Sequence, residues 1–450
     1  MSKENLQTFL SNVSEVIRKQ DNYPICEAIG EYYEKILKNT DSYFKRYDQT
    51  KQRAVFYKYK TFHDFQNYLI EFESKFTSHG GKVIYVEDAA SAVKEIEKIL
   101  ISKLHQKLIL SQSKTLYEIG LYSYLKENKK EFLIGDLNKY FYPILPLSFD
   151  QKIKDISSLL KLDNFEKGSI NVLNLYKKYL INEAYKNSIS ITGADALVAD
   201  VGGVLLLENE GNLSINYAFS KIHIVVSGID KLIPSVQDME LFNALHSTHS
   251  FGNYFCWNQT LLTGPIKEKE VDGPEEMYVI LVDNGRTEIL AHQKQRSILN
   301  CIECYACQAV CPVFKFINSD QNNFNKGPVD CIKEPLLQGF EKASHLAYAC
   351  TLCGKCEEVC PMSISLPELI LHNRKEAAEK GYYVCVDKSH MKTLKKMFLK
   401  RKTLESPYHR LMLKLDFKKD YGNQRVFPDF GQKSFHIIWT EGYGIYTEKD

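Results

Sequence analysis

From about residue 71 onward, short apolar runs alternate with stretches of helical periodicity. Lys82 to Glu87 reads KVIYVE after the Gly80-Gly81 pair, the pattern of a short strand leaving a turn. Beyond it, Val93, Ile96, Leu100 and Leu104 fall at i, i+3, i+7 and i+11, one face of a helix. Leu108-Ile109-Leu110 is a second strand that turns through Ser111-Gln112-Ser113-Lys114 into a helix, and Phe132-Leu133-Ile134 is a third. Alternation of this kind predicts a mainly parallel α/β sheet with helices on its faces. The segment from about 142 to 190 is less regular and largely helical. Apolar runs then return at Ala196 to Ala199, Val204 to Leu207, Ile222 to Val226 and Tyr278 to Val282, punctuated by glycines that read as tight turns or as a close backbone approach. Residues 1 to about 70 are amphipathic and helical, with no visible chemistry, and are expected to pack or to meet a partner.

Residues 291 to 380 follow a different rule. Cysteine turns are flanked by helical stretches, and Ser365-Leu366-Pro367-Glu368 has capping-box spacing at the start of a helix that Gly381 ends. The remaining segment, 381 to 450, is basic and helical before a tail with no recognisable chemistry. The expected organisation is thus a helical N-terminal arm over 1–70, an α/β domain over 71–290, a helical cysteine domain over 291–380 and a C-terminal tail over 381–450.

Composition narrows the class. The chain has 450 residues, 25% of them charged and 44% hydrophobic, ordinary values for a globular protein with two or three domains. A net charge of +2 gives no global field that would favour nucleic acid, and the basic stretch around Lys392, Lys395, Lys396, Lys400, Arg401 and Lys402 reads as a solvated helix face. No apolar stretch approaches the roughly 18 residues that suggest a membrane span. The polar start, Met-Ser-Lys-Glu, lacks a signal-peptide pattern, so a cytoplasmic location is expected.

Two cysteine runs carry the chemistry. The first is Cys301-x2-Cys304-x2-Cys307-x3-Cys311-Pro312 and the second Cys350-x2-Cys353-x2-Cys356-x3-Cys360-Pro361. Each copies the C-x2-C-x2-C-x3-C-P run of two-cluster bacterial ferredoxins, in which the fourth cysteine ligates the other cluster. By that rule Cys301, Cys304, Cys307 and Cys360 hold one [4Fe–4S] cluster, and Cys350, Cys353, Cys356 and Cys311 hold a second. A cubane presents four iron corners, and three closely spaced cysteines reach three of them from one loop, leaving the fourth to a distant ligand. Structural zinc is the bland alternative, but its sites read as paired C-x2-C units. Disulfides fit a cytoplasmic chain poorly. The 38 residues separating Cys311 from Cys350 favour a helical two-cluster domain over the compact β-containing kind. Cys26, Cys256, Cys331 and Cys385 read as buried, inert thiols, with Cys331 placed between the runs. The Cys-Pro pairs are expected to end local helix and turn the chain away.

Several further phrases accompany the cysteines: Gly80-Gly81-Lys82-Val83, Glu118-Ile119-Gly120, Ile191-Thr192-Gly193-Ala194-Asp195, Thr263-Gly264-Pro265, Asp283-Asn284-Gly285-Arg286 and Gly327-Pro328. With them the chain resembles the LutB-like iron–sulfur proteins of lactate utilization, over most of residues 60 to 380. The resemblance implies a LUD domain related to the ribose-phosphate isomerase (NagB/RpiA) and CoA-transferase group, followed by an α-helical two-[4Fe–4S] ferredoxin domain. It also implies an iron–sulfur electron-transfer subunit in a multi-subunit system that oxidises L-lactate to pyruvate, with LutA-like and LutC-like partners and a further electron acceptor. The sequence departs from the family's usual phrases at Asp200-Val201-Gly202-Gly203 and at Tyr142-Pro143-Ile144-Leu145-Pro146.

Other functions compete. The clusters would serve equally in an oxidoreductase for another 2-hydroxy acid; no G-x-G-x-x-G flavin motif follows a strand. Glu208 and Glu210 sit after a strand as a CoA-transferase nucleophile does, against the plainer reading of turn residues. His223, on an apolar strand, reads as a core histidine.

Overall fold

The computed structural model describes residues 42–102, 108–135, 170–186, 189–208, 211–256, 258–317 and 327–382, with isolated positions before 42 and between 392 and 443. Leu104, Tyr142–Pro146, Glu210, Cys26, Cys385 and, in the basic stretch, Lys396, Arg401 and Lys402 lie outside the described residues. The chain forms two compact units, Met1–Tyr383 and Val384–Asp450. In the second, the described residues include a short exposed helix, Phe435–Ile438.

Two sheets organise the first unit. The larger has six parallel strands: β1 (Lys82–Val86), β2 (Leu108–Leu110), β3 (Phe132–Ile134), β4 (Ile189–Thr192), β7 (Ile222–Gly228) and β10 (Glu276–Val282), in the spatial order β1-β10-β7-β4-β2-β3. The smaller is mixed: β5 (Ala196–Val198), β6 (Gly203–Glu208), β8 (Leu232–Ile233) and β9 (Asn258–Leu262), in the order β8-β5-β6-β9. The parallel α/β expectation holds for the large sheet. The runs at 196–199 and 204–207, however, form an antiparallel pair in the second sheet.

Burial explains the sequence pattern. β7 is buried along its whole length, because a central strand covered on both faces needs a continuous apolar run and not an alternating one. β1 lies at an edge with Lys82 exposed, where its ammonium meets Glu276 at 3.0 Å and lies over the Tyr278 ring. The helix of Val93 and Ile96 runs Ala89–Ile101, buries Ala92, Val93, Ile96 and Ile99, and starts where Asp88 accepts the Ser91 N–H at 2.7 Å. That bond satisfies one of the amides that a helix start leaves open.

The arm expected over 1–70 includes helix α1 (Tyr47–His63), and helix α2 (Phe65–Ser78) crosses residue 70. α1 is not a peripheral element. It buries Ala54, Lys58 and Thr61, and the Lys58 ammonium donates to the carbonyls of Asp230 and Leu232 at 2.5 and 3.4 Å. Helix α3 (Val236–Phe251) is capped by Ser235, whose Oγ accepts the Asp238 N–H, and is stopped by left-handed Gly252. It carries buried Asn243, His246 and His249 beneath the small sheet.

The cysteine region is helical, as its flanking periodicity predicts. Helices α4 (Ala306–Val310), α5 (Pro312–Ile317), α6 (Asp330–Gln338), α7 (Phe340–Tyr348), α8 (Lys355–Glu358) and α9 (Leu366–Glu379) follow one another. Cys311 ends α4 and Pro312 opens α5, where the missing N–H costs nothing. Gly381 ends α9 in the left-handed region (φ 81°). The predicted capping box does not form: the Ser365 hydroxyl donates to Glu357 at 2.7 Å instead, because that carboxylate reaches it from α8.

Candidate iron–sulfur site

The two cysteine loops fold as repeats of one backbone. In the first, Glu303 and Tyr305, on either side of Cys304, have positive φ. In the second, Leu352 and Gly354 do the same on either side of Cys353. Left-handed non-glycine residues cost on the order of 1 kcal/mol each and persist only where the surroundings impose them. The effect is to fold the loop back so that amides point at sulfur. Glu303 N–H donates to Cys301 Sγ at 3.4 Å, and Leu352 N–H to Cys350 Sγ at 3.2 Å. The fourth cysteines are treated alike: Phe314 N–H donates to Cys311 Sγ and Ile364 N–H to Cys360 Sγ, both at 3.4 Å.

The fold brings the eight cysteines together crosswise. Cys301, Cys304, Cys307 and Cys360 line one space of about 430 Å³, part of it open to solvent, together with Tyr305 and Gln308. The sulfurs of Cys350, Cys353, Cys356 and Cys311 interact electrostatically as a second group. Among the described residues no three His, Cys, Asp or Glu side chains converge as a single metal ion requires. The first four thiols frame a volume and not a point, which suits a cubane. Burial pushes the Cys360 thiol up to about 11 and the Cys356 thiol up to about 12, and raises Cys304 and Cys307 as well. Such thiols become thiolates when cationic iron supplies the missing charge, so the donor set fits a [4Fe–4S] cluster in each group. Cys331, buried on α6, lies within electrostatic range of Cys350, Cys311 and Cys356. Cys256 donates to the Glu208 carbonyl, and burial raises its thiol to about 11.

A buried ion network ties the first loop to the α/β body. Asp230, just after β7, takes Arg286 Nε at 2.6 Å and Lys333 Nζ at 3.0 Å. Arg286 also grips Glu118 with two bonds of 2.7 Å. Lys231 donates to Glu303 in the first cysteine loop at 2.6 Å, and Lys114 reaches Asp330 at 3.3 Å. Burial works to raise the Asp230 carboxyl, but Arg286, Lys333, Lys231 and Lys58 hold it well below the carboxylate range. Burial likewise opposes ionisation of Glu303, yet Lys231, Lys333 and Lys114 hold it at about 2. Two glycines make room. A Cβ at Gly228 would stand 2.3 Å from Asp230 Oδ1, and one at Gly327 would stand 2.2 Å from Gln308 Cγ.

Beside this network lies a second cavity, between the small sheet and the first cysteine loop. Its walls include Lys58, Asp195, Lys231, Asn243, His246 and Cys301. Burial pushes Asp195 up to about 6 against the pull of Lys231, and lowers Lys58 to about 8 and His246 to about 3.

Some sequence candidates take other roles. Glu208 is buried and accepts the Leu213 and Ser214 amides at 2.6 and 3.0 Å and Asn258 Nδ2 at 2.9 Å, so it anchors the helix Asn212–Phe219 and presents no free nucleophile. His223 is a core histidine bonded to Thr192 Oγ1 at 2.8 Å, and burial lowers it to about 3. Lys58, Asp230, Lys231 and Lys333 escaped sequence reasoning. A signal was available for two of them, since Asp230-Lys231 places an acid and a base side by side in the mainly apolar run from Ile222 to Ile233.

Fold and cysteines together define an α/β domain of the LUD type joined to a 4Fe-4S dicluster region. The LUD domain family matches residues 69–282 and the 4Fe-4S dicluster domain family residues 297–364. Lactate utilization protein B of Anoxybacillus flavithermus is 32% identical over 335 residues, 71% of this chain and 70% of its own. That of Macrococcus caseolyticus is 31% identical, covering 78% of this chain and 74% of its own. A protein described as the uncharacterized electron transport protein YkgF of Escherichia coli K12 is 29% identical, covering 81% of this chain and 80% of its own. A solved structure, a DUF162 family protein from Deinococcus radiodurans, aligns with 48% of this chain and 97% of its own at 16% identity and a TM-score of 0.30. The chain belongs to the lactate utilization protein B family. No helix among the described residues is long and apolar enough to cross a membrane.

Proposed function

We propose that this chain is the iron–sulfur, electron-carrying subunit of a multi-subunit system that oxidises L-lactate to pyruvate. It carries two [4Fe–4S] clusters, one on Cys301, Cys304, Cys307 and Cys360 and one on Cys350, Cys353, Cys356 and Cys311. The observation that carries this reading is the crosswise gathering of the two runs, which is the ligation rule of two-cluster ferredoxins. When bound, the clusters accept and donate one electron each, so together they match the two electrons that leave a hydroxy acid as it becomes an oxo acid with loss of two protons. The protein's own part is to fix the thiolates, aim four backbone amides at their sulfurs and bury Cys304, Cys307 and Cys360 of the first group.

The partners are LutA-like and LutC-like subunits and a further electron acceptor, and the system works in the cytoplasm. Within the chain, the arm over 1–70 and the tail over 381–450 flank the LUD domain (71–290) and the dicluster domain (291–380). The second reading is oxidation of another 2-hydroxy acid, which the same one-electron clusters would serve equally.

The deciding experiment measures iron, acid-labile sulfide and zinc on anaerobically purified protein. About eight iron and eight sulfide per chain are expected for two cubanes. Zinc without sulfide overturns the proposal. L-lactate added to a sample reconstituted with both partners then bleaches the cluster absorption, whereas bleaching only by another hydroxy acid selects the second reading.

A further inference from the structure

The cavity between the small sheet and the first cysteine loop has polar groups that the protein itself leaves unmet. Lys58 is 3% exposed, and its ammonium, which carries three donors, is bonded to two backbone carbonyls. Among the described residues no carboxylate stands within ion-pair distance of it. Asn243 Oδ1 and His246 Nδ1 have no hydrogen-bond partner, although these side chains are only 3% and 8% exposed. A buried polar atom without a partner costs about 1–3 kcal/mol, so two in one cavity with a cation call for a bound molecule. Lys231 is already spent on Glu303, and Asp195 adds negative charge to the wall. One ammonium with a single donor left, in a wall shared with one carboxyl, suits a monoanion and disfavours a phosphate dianion. Leu205, Leu207, Ile233 and Phe242 supply an apolar floor for a short carbon chain. The space is about 370 Å³, part of it open to solvent, and Cys301 stands in its wall.

We propose that this cavity binds a small 2-hydroxy or 2-oxo monocarboxylate. Lys58 takes the carboxylate, and Asn243 and His246 take the oxygen on the neighbouring carbon. An α-hydroxyl donates to Asn243 Oδ1, and the His246 tautomer follows from whether its Nδ1 donates or accepts. The significance of the site, a ligand held against the first cluster, rests on the functional reading above. Binding itself does not.

The test is calorimetric titration of full-length, anaerobically purified protein with L-lactate, pyruvate, acetate and inorganic phosphate, with iron and sulfide measured on every sample. Saturable binding of lactate or pyruvate at least tenfold tighter than of acetate or phosphate is expected. Lys58→Met and Asn243→Ala should each weaken it about tenfold or more, and Ala196→Leu, which fills the cavity, should abolish it. Asn243→Ala gives up one hydrogen bond, from its Nδ2 to Gln259 Oε1 at 2.9 Å, and no buried charge, so it keeps the test alive if Lys58→Met fails to fold. Full iron content without saturable binding, phosphate binding as tight as lactate, or binding untouched by Asn243→Ala and Ala196→Leu overturns the site. Tight lactate binding by a chain with no sulfide supports the site and overturns the functional reading.

Discussion

The two cysteine groups share a backbone and differ in their surroundings. Both loops put left-handed residues around the second cysteine and aim an amide at the first. In the first group Cys304, Cys307 and Cys360 are buried, and the loop is clamped to the α/β body through Glu303 and Lys231. In the second, Cys353 is exposed and Cys311 and Cys350 are half-buried. Its loop is held from within the helical region, where Arg374 donates to the carbonyls of Ala347 and Cys350 at 2.8 and 2.5 Å. One ligand geometry is thus set in two environments. A cluster's potential depends on burial and on hydrogen bonds to sulfur, so under the proposed function equal loops would give clusters of unequal potential. The inner group's Cys301 stands in the wall of the polar cavity, and the outer group's Cys353 is exposed to solvent.

The largest way to break this comparison is to remove one ligand from each group. Cys304→Ser and Cys353→Ser should each reduce iron from about eight to about four per chain, one cubane lost. The first should also lower the thermal midpoint far more, since Cys304 is buried and Cys353 exposed. Equal destabilisation would mean that the two environments do not matter to the fold.

Next in size is the ion network that clamps the inner loop. Asp230→Asn leaves Arg286 and Lys333 with a neutral partner in a buried site, and loss of one partner there costs about 3–5 kcal/mol. Urea unfolding of the two proteins reads this directly. Because the Asp230 carboxyl is depressed when folded, its contribution is present above the unfolded carboxylate value and is lost only as pH falls through the folded one.

Mild acid separates the core from the clamp. His223 is lowered by burial to about 3 from an ordinary value of 6.5, so the unfolded chain binds a proton in that window which the fold refuses. Stability is therefore full above pH 6.5 and falls below it, by up to about 1.4 kcal/mol per histidine per pH unit. His246 and His249, lowered to about 3 and about 4, act in the same direction. His223→Asn should reduce the loss between pH 6.5 and 5.5 by about 1 kcal/mol, measured by urea midpoints. Asp230 does not titrate in that interval, so its variant should leave the slope unchanged.

The smallest effect lies farthest from the cysteines. Asp88→Ala removes the cap of the helix Ala89–Ile101 and should cost about 1 kcal/mol, with iron and sulfide content unaltered. Loss of iron in that variant would show that the sheet and the cysteine loops are not independent.

Much of this was legible along the chain. The strands at Lys82–Val86, Leu108–Leu110 and Phe132–Ile134, the helix of Val93 and Ile96, and the cysteine runs rest on local periodicity and spacing. Local order also explains what went astray. β8 is only two residues long, and β9 carries Asn258, Gln259 and Thr260, so no apolar run announces it. Ser365 has the right spacing for a cap but bonds Glu357, a contact that spacing cannot foresee.

By itself the sequence determined the alternation of strand and helix, the two repeated cysteine loops and the chemistry their thiols serve. These depend on neighbours within one turn or one loop. The tertiary structure alone decided that the strands divide between a parallel and a mixed sheet, and that α1 enters the core. It also decided that Glu118, Asp230, Arg286 and Lys333, scattered over more than 200 positions, share one buried network. The physical reason is that a buried charge survives only when a partner meets it, and those partners are supplied by the fold and not by the chain's local order.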